Sequence, residues 1–243
     1  MIKILLAPLL LTLSLNALEL KELDNATLEL THKEAVEFCK TEKGWRLPTA
    51  KELFTLFTDH AYAIKNQDRN YWSSTLYKGS KDRAWQVLHP DRDTSPMPKS
   101  NKLLALCVKD TVPKEYDDHR FTVQKDKLID DKHQKIFWQP LSRKEGRQKF
   151  TFGDAREHCQ SLKLANHTWR LPTLNEFFNI VDFTRTKPAL DKKIFKYTKF
   201  KYYWSGDFIE DYNNEAYVVG LKIGTVATNT RMGESFVRCV SDY

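Results

Sequence analysis

The sequence predicts an α+β protein built from two tandem copies of one unit, each with two helices followed by a small twisted antiparallel sheet. Three observations carry this. A set of uncommon residues occurs twice in the same order: Cys39, Trp45-Arg46-Leu47-Pro48-Thr49, Tyr71-Trp72-Ser73, Ala84-Trp85 and Cys107-Val108, then Cys159, Trp169-Arg170-Leu171-Pro172-Thr173, Tyr203-Trp204-Ser205, Ala216-Tyr217 and Cys239-Val240. Helix-start signals recur at matching places in both copies. Aromatic and β-branched runs too short for helices follow them.

The chain of 243 residues opens with one lysine, an apolar run and a small residue at Ala17, so residues 1–17 read as a secretory signal peptide. The run falls short of the roughly 20 apolar residues a membrane span needs, and a retained anchor is the alternative to cleavage near Ala17. No later segment is apolar enough to span, so no membrane span is expected in the mature chain. The remainder divides into a first repeat over 18–110, a polar linker over 111–120 and a second repeat over 121–243.

Thr31 and Glu34 have the spacing of a capping box, in which a hydroxyl and a carboxylate satisfy each other's free backbone amides. They open the first helix, with Ala35, Phe38 and Cys39 on its inner face and its end near Gly44. Thr151 and Asp154 open the equivalent helix, with Ala155, Cys159 and Leu162 inward. A second cap follows Trp-Arg-Leu-Pro in each copy, Thr49 with Glu52 and Thr173 with Glu176. Pro48 and Pro172 stop either helix from extending backward. The second helices are predicted over 50–58 and 174–183, burying Leu53, Phe54, Leu56 and Phe57, or Phe177, Phe178, Ile180 and Val181. Strands are predicted over 71–74, 84–87 and 103–109 in the first copy, and 202–205, 215–223 and 235–240 in the second. Gly220 and Gly224 mark bulges or turns. A Pro-rich distal loop contains Pro90, Pro96 and Pro98. A hairpin is predicted over 128–131 and 136–139, with little room for a counterpart before Thr31.

Four cysteines, two per copy, read as a disulfide framework in an exported chain. Of the three possible pairings, the repeat selects Cys39–Cys107 and Cys159–Cys239; free thiols are the alternative. Each bridge ties the first helix of its copy to the last strand.

The residues Trp169–Thr173, Glu176, Tyr203–Ser205 and Val237–Val240, with their partners in the first copy, resemble the Lcl C-terminal domain family. This is a bacterial domain of unknown function named after a collagen-like adhesin. The second copy matches best. The first is shortened at its front and carries Leu106 where the second has Arg238. The Arg-Leu-Pro-Thr element is also similar to C-type-lectin-like folds and to the formylglycine-generating enzymes of that architecture. The resemblance implies C-type-lectin-like units, a helix-to-last-strand disulfide, a bacterial periplasmic or cell-surface location, and adhesion or glycan binding. It does not imply catalysis.

The repeated residues are expected to be structural. Arg46 with Glu52 and Arg170 with Glu176 form charged pairs beside the Pro-Thr turns. The tryptophans, Trp45 and Trp169 among them, pack in cores rather than serving as sugar platforms. The seven histidines show no zinc spacing, and no cofactor or metal is expected. Asp207, Glu210, Asp211, Asn213, Asn214 and Glu215 contain oxygens suited to calcium, but read as a solvated acidic loop. No nucleophile–base pair stands out, and no cysteine remains for formylglycine-type chemistry, so an enzyme is not expected.

Charge separates the copies. Residues 18–112 hold fifteen Lys/Arg against fourteen Asp/Glu, whereas 113–243 hold twenty-three against eighteen. Most of the excess lies in Arg185, Lys187, Lys192, Lys193, Lys196, Lys199 and Lys201, interleaved with Phe195, Tyr197, Phe200 and Tyr202. The first copy has the near-neutral set Asp59, His60, Lys65, Asp68 and Arg69 there. Cations between rings suit an acidic glycan or envelope polymer. Arg143, Lys144, Arg147 and Lys149 form a second, weaker patch. The expectation is therefore an exported, non-enzymatic binding or adhesion module. An envelope protein is the alternative partner, in a structural or interaction role without glycan binding; export argues against nucleic acid.

Overall fold

The computed structural model describes residues 19–22, 29–41, 43–59, 68–109, 120–209 and 214–243. The predicted signal peptide lies outside the described residues, as does all of the predicted linker except Arg120. The molecule is α+β, with four α-helices and several small, mostly antiparallel sheets among the described residues.

In the first copy, β1 (Glu19–Glu22) precedes α1 (His32–Cys39), β2 (Trp45–Arg46) and α2 (Ala50–Asp59). Then come β3 (Arg69–Leu76), β4 (Arg83–His89), β5 (Thr94–Pro98) and β6 (Leu106–Lys109). One sheet runs β1-β6-β2 and the other β3-β4-β5. The second copy begins with β7 (Phe121–Val123), β8 (Ile129–Asp131) and β9 (Ile136–Trp138). A 3-10 turn at Glu145–Arg147 leads to β10 (Lys149–Phe150), α3 (Phe152–Ser161) and α4 (Leu174–Asn179). β11 (Tyr202–Phe208), β12 (Glu215–Gly220), β13 (Thr225–Thr230), β14 (Ser235–Phe236) and β15 (Val240–Asp242) complete it. Its sheets run β10-β14-β11-β12-β13 and β15-β9-β8-β7.

The capping boxes form as the spacing requires. Glu34 N–H donates to Thr31 Oγ1 while Thr31 N–H donates to the Glu34 carboxylate, and Thr173 and Glu176 repeat the arrangement. Both disulfides pair within their own copy, Cys39–Cys107 and Cys159–Cys239. The Tyr-Trp-Ser motifs do the same structural work twice. The Trp72 indole N–H donates to Leu30 O and that of Trp204 to Phe150 O, each at 2.8 Å. The serine hydroxyls of Ser73 and Ser205 donate to the neighbouring-strand carbonyls of Trp85 and Tyr217.

Several boundaries differ from expectation, each for a local reason. The first helix stops at Cys39 rather than near Gly44, which sits at φ +89° in the turn entering β2. The second helix of copy two ends at Asn179, not 183. There the Asp182 carboxylate accepts from Thr184 N–H, Thr184 Oγ1 and Arg185 Nε, an Asx-type turn that competes with helix. The Pro-rich stretch is a loop only at its start, where Pro90 lies in the turn after β4. Thr94–Pro98 is an edge strand against β4, a place where missing proline N–H groups cost no ladder bond. The predicted strand 215–223 ends at Gly220; the chain turns through Gly224 at φ +98° and returns as β13. The predicted strand 235–240 splits, because Gln139 captures the middle: its N–H donates to Cys239 O, and its side-chain oxygen accepts from Cys239 N–H. In the first copy, β1 pairs with β6 as β9 pairs with β15.

The two copies share one core. Phe54 and Phe178 occupy the same position of the repeat, and their rings stack on one another at 4.1 Å and 25°. Trp85 packs edge-on against Phe183 at 4.9 Å. Val226 N–H donates to Thr94 Oγ1, joining β13 to β5, and Lys51 Nζ donates to Asn179 O. One continuous apolar cluster runs from α2 and β4 through α4 and β12.

Candidate functional site

The repeated motifs are committed to the fold. Arg46 makes a two-pronged bond to Glu52 (2.8 and 2.6 Å), and the same Glu52 accepts from Thr49 N–H. Arg170 grips Glu176 likewise and adds Asp242 at 2.6 Å. Hydrogen bonding to Glu176 raises the Arg170 pKa, so the guanidinium stays cationic. Five of the six tryptophans, Trp72, Trp85, Trp138, Trp169 and Trp204, are fully buried. Trp45 is partly buried, with the Lys109 ammonium 5.9 Å from its ring centre.

In the second copy the β8–β9 hairpin is held to α4 by a buried acid. Asp131 accepts from Arg120, Gln134 Nε2 and Trp138 Nε1, while Arg120 also donates to Asn179 O. Burial alone would raise the Asp131 pKa, but these bonds, led by Arg120, hold it below the ordinary value. Asp207 of the acidic loop is spent on the fold as well, accepting from Leu174 N–H at the start of α4. Residues 210–213 of that loop lie outside the described residues. Among the described residues no group of three or more metal-ligating side chains occurs.

The segment 185–202 is irregular but pinned. Phe195 is fully buried against Phe121 and Trp138, so it anchors the segment rather than facing a ligand. Lys199 N–H donates to Tyr203 Oη, and Ala189 N–H to Leu221 O. The third pin is Arg238, which sequence reasoning singled out only as a difference between the copies. Its Nη1 donates to Gln139 O at 2.6 Å, and its Nη2 to Lys196 O and Thr198 Oγ1, both at 3.0 Å. Burial pulls the guanidinium pKa down to about 10, opposed by Tyr203 and Glu145, so it remains cationic at neutral pH.

The pinned segment leaves Lys187, Lys192, Lys193, Lys196, Lys199 and Lys201 exposed, and none of them meets a carboxylate among the described residues. Arg185 differs: it is paired with Asp182 and Asp191. Tyr197, Phe200 and Tyr202 are each between 41% and 49% exposed, and the Lys192 ammonium lies 4.9 Å from the Phe200 ring centre. The second patch joins the first. Gly146 packs so closely on Tyr197 that a Cβ there would lie 2.5 Å from Tyr197 O. This contact sets the exposed Arg143, Lys144 and Arg147 beside the lysine segment as one basic face. In the first copy, residues 60–67 of the corresponding segment lie outside the described residues.

Fold and site together define an α+β tandem-repeat protein with one internal disulfide per repeat and a basic, aromatic-bearing face on the second. The model of the Lcl C-terminal domain matches residues 16–109 and 127–241, and the chain belongs to that family. No curated protein matches the chain. Among the described residues no helix is long and apolar enough to cross a membrane.

Proposed function

We propose that this chain is an exported, non-enzymatic binding module that engages an acidic glycan or envelope polymer through its second repeat. The observation that carries this reading is the basic face, six lysines without a carboxylate partner among the described residues and three exposed rings on segment 185–202, with the 143–147 cluster against it. Unpaired cations attract a polyanion, and exposed aromatic faces cover sugar rings. Two internal disulfides are compatible with export to an oxidising compartment, the periplasm or cell surface of a bacterium. Each repeat is taken as a C-type-lectin-like unit, on the strength of its bridge from the first helix to the last strand, or in the second copy to the residue just before it, and the Arg-Leu-Pro-Thr turn before its second helix. The strongly held charges around Arg170 and Asp131 have packing partners that explain them, which favours binding over catalysis.

The test is retention on immobilised heparin under a salt gradient, comparing the native protein with one carrying Lys→Glu at 192, 193, 196, 199 and 201. The native protein should elute late and the variant near the void. Equal retention would overturn the site. A single stoichiometric envelope protein recovered in pull-downs, with no glycan signal on an array at low salt, would favour an interaction module instead.

A further inference from the structure

A cavity of about 460 Å³ opens where β7, residues 140–145 and residues 193–197 meet. Val123, Ile129, Leu141, Ile194 and Tyr197 give it apolar walls. Its charges are Lys127, Lys193, Lys196 and Arg238 against one carboxylate, Glu145. Glu145 is already engaged, accepting from Ser142 N–H and Gln139 Nε2. Arg238 is only 1% exposed, yet no carboxylate among the described residues pairs with it, and its Nε–H has no hydrogen-bond partner. A buried guanidinium held by carbonyls, a hydroxyl and the Phe195 ring 5.4 Å away, with no paired carboxylate among the described residues, is a costly arrangement. An anion entering the cavity would offset that cost.

We propose that this cavity is a pocket for one anionic sugar ring, the terminal acidic residue of a glycan chain. The inference rests on the polyanion reading in taking its ligand from the same polymer. The anionic group would sit toward Arg238, Lys193 and Lys196, and the apolar face of the ring against Ile194, Leu141 and Tyr197. Size favours a chain end: the cavity lies in the lower half of the roughly 300–1,000 Å³ range of small-molecule pockets, enough for about one or two rings. Position favours a sugar over a lipid. Lys193, Lys196 and Tyr197 belong to both the cavity and the basic face, so a chain whose end occupies the cavity can continue along Lys192, Lys199 and Lys201.

The experiment titrates the mature protein with glucuronate, glucose, inorganic sulfate and decanoate, following amide shifts by NMR, alongside heparin retention. Variants are Val123→Trp, which fills the mouth from an exposed position, Lys193→Glu at the rim, and Lys81→Glu, an exposed lysine of the first repeat, as a control. Glucuronate should bind and shift amides around Ile194 and Arg238. It should weaken about tenfold or more in Val123→Trp and Lys193→Glu, a loss of the size one charged contact commonly carries, and be unchanged in Lys81→Glu. Glucose should not bind. No glucuronate binding with heparin retention intact would overturn the pocket and leave the polyanion reading standing. Glucuronate binding unaffected by Val123→Trp would place the ligand elsewhere and overturn it too. Sulfate or decanoate binding as tightly as glucuronate would remove the sugar ring from the proposal.

Discussion

If the two repeats are one cooperative body, removing a ring from one must destabilise the other. Phe178 and Phe54 are 1% and 2% exposed and stack at 4.1 Å, each reaching across from its own repeat. Phe178→Ala removes a buried ring from a packed core, which costs about 3–5 kcal/mol. That is a large share of the roughly 5–15 kcal/mol by which domains of this kind are stable. Phe54→Ala should cost a similar amount. The double variant should lose about 1 kcal/mol less than the sum, because the stacking contribution disappears with the first substitution. The assay is urea unfolding with disulfides intact, together with hydrogen exchange at strands β4 and β12, one from each repeat. Phe178→Ala should lower protection in β4 of the first repeat as much as in β12 of the second, within a single transition. Two separated transitions, protection lost only in the second repeat, or strict additivity would refute a shared core.

Four further outcomes follow from the same geometry. The disulfides span sequence separations of 68 and 80 residues, so the loop-entropy relation gives each about 4 kcal/mol; reduction that shifts the urea midpoint only marginally would contradict it. Glu52→Gln breaks the two-pronged bond to a largely buried Arg46 and weakens the Thr49 cap, for a loss of about 2–3 kcal/mol in equilibrium unfolding. Burial first, then Asp91 and Glu215, push the Asp93 carboxyl up to about 6. Because the folded value lies above the unfolded one, its stabilising contribution is full below about pH 4 and lost as pH rises through 6. Thermal melts across this window should therefore show a smaller decline in Asp93→Asn than in the native protein. Gly146→Ala drives a methyl to 2.5 Å from Tyr197 O, so it should displace residues 193–198, seen as raised exchange there, and reduce heparin retention without lowering the melting temperature by more than a few degrees.

What could be read from the sequence was local or repeated. Capping boxes need only four consecutive residues, so Thr31, Thr49 and Thr173 announce their helices. The cysteine pairing becomes legible because the motif occurs twice and each copy must close on itself. Features made by distant residues were not legible. Phe54 and Phe178 each satisfy the inner-face pattern of their own helix, and nothing in either helix shows that the faces meet. Pro96 and Pro98 read as loop residues until β4 is known to lie beside them, leaving β5 as an edge. The patches at 143–149 and 185–202 look separate along the chain. The contact of Gly146 with Tyr197 joins them, and an isolated glycine carries no sign of what approaches it. Phe195 reads as one more ring in a stripe, yet burial against Phe121 and Trp138 makes it the anchor that lets the neighbouring lysines face outward.

The difference between Leu106 and Arg238 connects the unequal charge of the copies to their structure. Both positions precede the second cysteine of their repeat, and both side chains are buried, at 1% exposure. Leucine satisfies the first site with apolar contacts alone, inside the shared core. Arginine at the second demands polar partners, and it finds them in Gln139 O, Lys196 O and Thr198 Oγ1, two of the three on the lysine-rich segment. Burying a cation in this way is a poor route to stability. Its structural consequence is specific: an otherwise irregular segment is fixed with its lysines outward and a cavity beneath them. The repeat supplies a common frame, and arginine at this one buried position fixes the segment that carries the basic face of the second copy.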